Sequence, residues 1–300
     1  MNIVVLGARG FLGRHICRTL TDAGDRIVTV PAGFDLVTAE PERIAALVAD
    51  AGADAVVNAA GRAWKADERQ MHTGNVELPA RVIRALALLE RRPCLVQLGS
   101  SHEYGPGTSG AGTHENTEPA PVTPYGRTKL LGARAVLDAA VAGGQPGVVL
   151  RIANVCGPGT HPGSLLGSVA DRLMRFTADR GRTGAPAELR LPPLRAWRDF
   201  VDVRDVADAV LRTVRADDED VVGQVINIGS GRAVHTRDLV NRLIAVSGLA
   251  VRVVEESPAG APSRVDTEWQ QLDISRAAEV LGWEPRHSLE QSLRDLLAAA

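Results

Sequence analysis

Tyr125 and Lys129 stand four residues apart, a spacing that on a helix puts both side chains on one face. A free phenol titrates at about 10, too high to exchange protons readily at neutral pH. An adjacent ammonium stabilises the phenolate and lowers that value, so the pair can act as an acid-base catalyst. The same spacing also arises where a half-buried tyrosine neighbours a solvated lysine, and other stretches must decide between the two. Ser100 is the next candidate. It follows the apolar run Cys94 to Leu98 in Gly99-Ser100-Ser101, and a serine at the carboxyl end of a parallel strand points into the crevice where such sheets bind ligands. There it can hydrogen-bond a substrate oxygen or cap a turn.

A third stretch, Gly7-Ala8-Arg9-Gly10-Phe11-Leu12-Gly13, follows the apolar run Ile3 to Leu6. Glycines at these three places permit a tight turn, close approach of backbone to a pyrophosphate and tight packing of the next helix, whose free amides face the phosphates. Arg14 to Ala23 has helical spacing, Gly24 ends it, and Arg26 to Val30 reads as a second strand. A strand, glycine turn, helix and strand in this order predict dinucleotide binding. An acidic residue at the end of the second strand would hold the ribose 2′-hydroxyl of NAD. Here the chain reads Val30-Pro31-Ala32-Gly33, and Arg9 in the glycine loop can pair with a 2′-phosphate. The reading therefore favours NADPH over NADH.

The elements that must position these residues follow the same alternation. Phe34-Asp35-Leu36 is a short segment near the adenine edge, where Asp35 either reaches the cofactor or caps its own loop. A helix from about Pro41 to Ala51 precedes a strand at Ala55 to Asn58. Ala59, Ala60 and Gly61 then let backbone pass close to a cofactor. Asn58, Ala59, Ala60, Asn75 and Leu36 are assigned to the cofactor side, with Asn75 opening a helical run from Val76 to Glu90. Residues 104–124, rich in Gly, Thr, Ser and Pro, read as a loop lining the site. Thr123-Pro124 starts the Tyr125 helix, which runs to about Ala142, and Val148 to Ile152 is the next buried strand. After Gly157-Pro158-Gly159 the texture changes, with a helix around Leu165 to Phe176 and a Gly/Pro-interrupted region beyond it.

Composition bounds the function. Three hundred residues, 45% of them hydrophobic, suffice for one large α/β unit or two modest domains. A formal net charge of -2 leaves no electrostatic footprint for nucleic acid or an anionic membrane. Cys17, Cys94 and Cys156 are odd in number and scattered, which predicts reduced thiols in a cytoplasmic protein without disulfide or metal site. No apolar run reaches bilayer length, and the N-terminal run enters the glycine motif rather than a cleavage site.

Taken together, Gly7-x-x-Gly10-x-x-Gly13, Asn58-Ala59-Ala60, Ser100 before Tyr104-Gly105, and Pro124-Tyr125-x-x-x-Lys129 resemble the extended short-chain dehydrogenase/reductase family of nucleotide-sugar enzymes. Arg151-x-x-Asn154-Val155-x-Gly157-Pro158-Gly159, Arg198-Asp199-Phe200-Val201-x-Val203, Asn227-Ile228-Gly229-Ser230-Gly231 and Leu281-Gly282-Trp283-x-Pro285 extend the resemblance over essentially the whole chain. It implies an α/β fold with a Rossmann-type, doubly wound parallel sheet over residues 1–156, returning near 200–229. A smaller C-terminal α/β domain over residues 157–300 would hold a nucleoside-diphosphate sugar. On the same resemblance Tyr125 is the acid/base, Lys129 binds the nicotinamide ribose and lowers the Tyr125 pKa, and Ser100 polarises the sugar carbonyl. Ser101, His102, Asn154, Arg198 and, more loosely matched, Arg264 fall on the substrate side. A homodimer through the helices near Val76 to Glu90 and Tyr125 to Ala142 is implied as well.

Departures from the family pattern select the reaction. Dehydratases carry an Asp-Glu pair directly after the serine or threonine, where this chain has Ser101 and His102. UDP-galactose 4-epimerases carry an aspartate where Pro31 stands. The short segment between the second and third strands resembles 4-keto-6-deoxysugar reductases. The expectation is therefore an NADPH-dependent 4-ketoreductase of an NDP-4-keto-6-deoxyhexose, dTDP-linked by preference. A 4-epimerase with tightly held NAD is the alternative, and a non-catalytic dinucleotide-binding sensor or scaffold the alternative of another class.

Overall fold

Ile3, Val4, Val5 and Leu6 are all fully buried, as a short β-branched run becomes when helices cover both faces of a parallel strand. They belong to β1 (Asn2–Leu6), and alternation sends Ile3 and Val5 into one apolar cluster and Val4 and Leu6 into another. The computed structural model describes residues 1–63, 66–178, 187–256 and 269–300. In chain order the first half contains α1 (Phe11–Asp22), β2 (Arg26–Thr29), α2 (Pro41–Asp50), β3 (Ala55–Asn58), α3 (Glu68–His72) and α4 (Leu78–Ala87). β4 (Cys94–Ser100), α5 (Pro124–Val141) and β5 (Gly147–Ile152) follow. Then come β6 (Asn154–Cys156), α6 (Leu165–Ala178), β7 (Ala187–Leu191), β8 (Trp197–Asp202), α7 (Val203–Arg215) and α8 (Asp218–Val221). The last elements are β9 (Val225–Ile228), β10 (Ala233–His235), α9 (Thr236–Ser247), β11 (Val251–Glu255), β12 (Trp269–Gln270), α10 (Ser275–Leu281) and α11 (Leu289–Ala298).

Six strands form one parallel sheet in the order β2-β1-β3-β4-β5-β9. The cluster with Ile3 and Val5 takes Ile16 and Leu20 from α1 and Val206 and Val210 from α7. The cluster with Val4 and Leu6 takes Val48 from α2, Val82 and Leu86 from α4, and Ala133 and Val136 from α5. The sheet is thus wound on both faces, the Rossmann-type arrangement expected. Because the chain moves from β1 out to β2 and then back across for β3, a crevice opens between the carboxyl ends of β1 and β3. The glycine loop and Asn58-Ala59-Ala60 flank it.

A smaller sheet, β10-β8-β12 with β6 also on β8, and a β7–β11 pair lie outside this sheet. A separate apolar cluster joins α6, β7, α9 and α11 through Leu166, Leu173, Leu189, Leu243 and Leu293. One expected boundary shifts. The helical run does not open at Asn75: α3 begins at Glu68, capped by Asp67, and continues through a π turn at Thr73–Glu77 into α4. The Asp67 carboxylate accepts the Gln70 amide while Gln70 reaches back to the Asp67 amide, a capping box that starts the helix early.

Candidate active site

The glycine loop is built by close approach. Gly7 takes φ of +80°, and a Cβ there would lie 2.6 Å from the Ala60 nitrogen. At Gly13 a Cβ would lie 2.1 Å from the Gly7 carbonyl oxygen, so α1 packs against the loop only without a side chain. No side chain caps the N-terminus of α1, which begins at Phe11 after Gly10 and leaves its first amides for an anion. Phe11 packs edge-on to His15 and Leu12 against the core, holding that first turn. A cavity of about 330 Å³ beside it is lined by Gly7, Arg9, Gly10, Pro31, Asp35, Leu36, Ala59, Ala60 and Arg62 among others. A bare backbone cradle, an open helix terminus and a narrow cleft at the sheet's switch point fit a dinucleotide.

Several assigned residues serve that cleft indirectly. Asn58 is fully buried, and its amide donates to Gln97 while accepting the Ala60 amide, so it shapes the turn rather than facing the cavity. Asn75 is buried too. It accepts the Arg62 amide, donates to the Arg62 carbonyl and reaches Thr128 on α5, clamping the loop. Asp35 accepts the Val37 amide at 2.9 Å, capping its own loop, and lies on the cavity wall. Arg62 went unnoticed in the sequence, because only the Asn75 clamp brings it beside Arg9.

The three residues expected to be catalytic, Ser100, Tyr125 and Lys129, meet at the carboxyl end of β4. Pro124 occupies the first turn of α5 and Thr123 caps it, accepting the Gly126 amide at 3.0 Å. A Cβ at Gly126 would lie 2.3 Å from the His102 carbonyl oxygen, so a glycine lets the helix dock directly on the turn after Ser100. Tyr125 and Ser100 are thereby brought to neighbouring places at the end of β4. Burial pushes the Tyr125 phenol up to about 12; the Ser100 hydroxyl pulls against that rise and the Glu103 carboxylate adds to it. Lys129 is buried at 8% exposure and donates through Nζ to the Leu98 carbonyl. Burial lowers its pKa, opposed by the Glu103 charge.

On the other side of Tyr125 lie His102, Asn154 and Arg198. The His102 and Tyr125 rings meet edge to face with centroids 5.7 Å apart. Burial and then the Arg198 charge push the His102 imidazole down to about 4, against a hydrogen bond that the ring donates to Asn154. His102 is thus neutral at neutral pH. Asn154 also donates to the Asp199 carbonyl at 3.1 Å, which ties β6 to β8. Arg198 is buried and donates to its neighbour's carbonyl at Trp197. Ser101 is buried with no partner for its hydroxyl. Arg264 lies outside the described residues.

Gln270 was also missed. It is 4% exposed, and neither its amide nitrogen nor its amide oxygen has a partner among the described residues. In the β12–β8 pairing it stands directly opposite Arg198, so the two side chains leave the sheet on one face. A buried amide left without partners costs on the order of 1–3 kcal/mol, which a bound polar ligand would recover.

Comparison with known proteins agrees with this geometry. The model of the NAD dependent epimerase/dehydratase family matches residues 3–229, and the chain belongs to that family. Among its relatives is the dTDP-6-deoxy-L-talose 4-dehydrogenase (NAD(P)(+)) of Kitasatospora kifunensis, 40% identical over 309 residues covering 99% of this chain and 95% of that one. A UDP-glucose 4-epimerase of Azospirillum brasilense is 28% identical, covering 95% of this chain and 87% of its own. The solved structure of RMD from Pseudomonas aeruginosa complexed with NADPH superposes with a TM-score of 0.84 at 24% identity, covering 100% and 99% of the two chains, and shows the same fold.

Proposed function

We propose that this chain is an NADPH-dependent 4-ketoreductase of a nucleoside-diphosphate 4-keto-6-deoxyhexose, dTDP-linked by preference. The observation that carries the reading is the placing of Ser100 beside a half-buried Tyr125, with Lys129 one helical turn on, next to a cleft that fits a dinucleotide. A relative named as a dTDP-deoxyhexose 4-dehydrogenase supports the same bond and the same carbon, since oxidation at C4 is this reduction reversed. The lack of a carboxylate at Pro31, with Arg9 and Arg62 on the cavity wall, supports the 2′-phosphorylated cofactor. The first 156 residues, with the return through α7 and β9, form the cofactor half in this reading, and the remainder the substrate half.

When bound, the nicotinamide supplies hydride to the C4 carbonyl carbon. Tyr125 Oη gives its proton to the oxygen on which negative charge develops, and Ser100 Oγ donates a hydrogen bond to the same oxygen. Lys129, held by the Leu98 carbonyl, faces the cofactor ribose. His102 and Asn154 wall the hexose, while Arg198 and Gln270 take the diphosphate and a sugar hydroxyl. Arg198 suits the diphosphate because its planar fork meets two phosphate oxygens. In this reading the chain works as a homodimer in the cytoplasm, joined through α4 and α5, where a groove of about 500 Å³ is lined by Val76, Ala80, Ile83 and Ala135 and rimmed by the charged Glu77, Arg81 and Arg84. Sedimentation of the purified chain measures that state.

The test is NADPH oxidation against dTDP-, GDP- and UDP-linked 4-keto-6-deoxyhexoses, with product stereochemistry read by NMR. Consumption of NADPH with formation of a 4-hydroxyl product is expected. Protein that isolates with NAD and interconverts sugar nucleotides without added reductant is a 4-epimerase instead, the reading that the Azospirillum relative favours. Cofactor binding with no turnover of any keto sugar points to a sensor.

A further inference from the structure

Glu103 is a fully buried carboxylate directly beneath the catalytic residues that the mechanism above does not use. Its Oε1 accepts the Ser100 amide at 2.8 Å, and its Oε2 accepts Arg151 Nε at 2.7 Å. Ser100 Oγ in turn accepts the His102 amide, so the short turn Ser101–Glu103 is closed at both ends and the Ser100 hydroxyl is held at the end of β4. Gly99 makes room for the carboxylate: a Cβ there would lie 2.7 Å from Glu103 Oε1. The guanidinium of Arg151 lies 4.3 Å over the Tyr104 ring, on the far side of the carboxylate. The pair is therefore oriented, with its negative end against the β4 backbone at Gly99 and Ser100, next in the chain to the Leu98 carbonyl that accepts Lys129 Nζ.

The charged groups around this point come from three directions. Arg151 comes from β5 and Lys129 from α5. Glu115, in the loop after Tyr104, adds a second negative charge near that ring. Neutral His102 completes the surroundings on the substrate side. Glu103 acts on both members of the Tyr125–Lys129 pair, adding to the rise of the phenol and opposing the fall of the ammonium. A buried negative charge disfavours a second one, so it retains a proton on a phenol; it favours a nearby positive one, so it retains the proton on an ammonium.

We propose that the Glu103–Arg151 pair is a positioning and charge-setting device for the active site. Its carboxylate fixes Ser100 against Tyr125 and holds the phenol in its proton-donating form while keeping Lys129 cationic. The device suits reduction of a ketone, where the tyrosine must arrive protonated, and its link to ketone reduction rests on the function proposed above. The charge relationship itself does not depend on which substrate is used.

The chain has two tyrosines, so Tyr104→Phe leaves Tyr125 as its only phenol. Stopped-flow pH jumps read by ultraviolet phenolate absorbance then titrate Tyr125 without substrate and before base unfolding. Adding Glu103→Gln, which keeps an acceptor for the Ser100 amide, should lower the midpoint by about one pH unit or more. Because that variant leaves Arg151 without its counter-charge, Glu103→Gln with Arg151→Gln is carried alongside; replacing both members of a buried pair is commonly tolerated. A lowered midpoint in either folded variant supports the proposal, and an unmoved one overturns it. In turnover, the alkaline limb of ketone reduction should move to lower pH in Glu103→Gln and return in Glu103→Asp. A pair with only a structural role would lower kcat at every pH without moving that limb. If no ketone is reduced by the parent while the phenol midpoint still shifts, the proposed function fails and the charge-setting role stands.

Discussion

His102 stands edge-on to Tyr125, their ring planes inclined by 73°, and burial with the Arg198 charge holds that imidazole neutral down to about pH 4. A histidine with its folded pKa below the ordinary 6.5 contributes stability that is fully present above 6.5 and is lost as pH falls towards 4. The melting temperature should therefore decline through that window, and His102→Asn should flatten the decline. Melting curves of the two proteins across pH check this. An imidazole titrating near neutrality by NMR would refute it.

Tyr125→Phe removes the proton donor but keeps the ring against His102. Reduction should slow by roughly 10²- to 10⁴-fold, the usual weight of a positioned acid. Cofactor affinity should stay within about a factor of three, since the phenyl ring preserves packing. Single-turnover hydride transfer beside a fluorescence titration of NADPH separates the two effects, and near-normal transfer would remove Tyr125 from the mechanism.

Gly13→Ala forces a Cβ to within 2.1 Å of the Gly7 carbonyl oxygen. The contact is backbone on both sides, so no side chain can move to relieve it. A loss of stability of about 1–3 kcal/mol is expected, together with weakened cofactor binding because the loop must shift. Denaturant unfolding and NADPH titration measure the two.

Arg9 and Arg62 are both exposed on the cavity wall. Replacing either with serine should weaken NADPH by about tenfold, as one charge-assisted hydrogen bond to a phosphate would, while leaving NADH nearly unchanged. Equal losses for both cofactors would show that neither arginine reads the 2′-phosphate.

Gln270→Leu exchanges a buried amide without partners among the described residues for an apolar side chain of similar size. Stability should hold or rise, because no internal hydrogen bond is lost. KM for the sugar nucleotide should rise about tenfold with kcat changed less. A fall in melting temperature with KM unaltered would assign Gln270 to the scaffold instead.

The parts of the site legible in sequence were those whose chemistry lies within one local segment. Three glycines after an apolar run, or a tyrosine and lysine one helical turn apart, carry their geometry in their spacing. The order of short apolar runs and helical stretches likewise announced a parallel sheet covered on both faces. Arg62, Glu103 and Gln270 carry no such local mark. Arg62 reaches the cleft through Asn75, thirteen residues away. Glu103 meets Arg151 across strands. Gln270 faces Arg198 only because β12 pairs with β8. The same limit holds for Lys129: spacing puts it on the Tyr125 face of α5, but the Leu98 carbonyl of β4 decides where its ammonium points.

By itself, then, the order of residues determined the class of fold, the dinucleotide cleft and the Ser100, Tyr125 and Lys129 set, because helix period and glycine sterics act within a few residues. Tertiary structure alone decided the protonation of that set. Burial and the Glu103 charge raise the phenol against the ordinary effect of a nearby lysine, and both depend on what distant strands bring within a few ångströms.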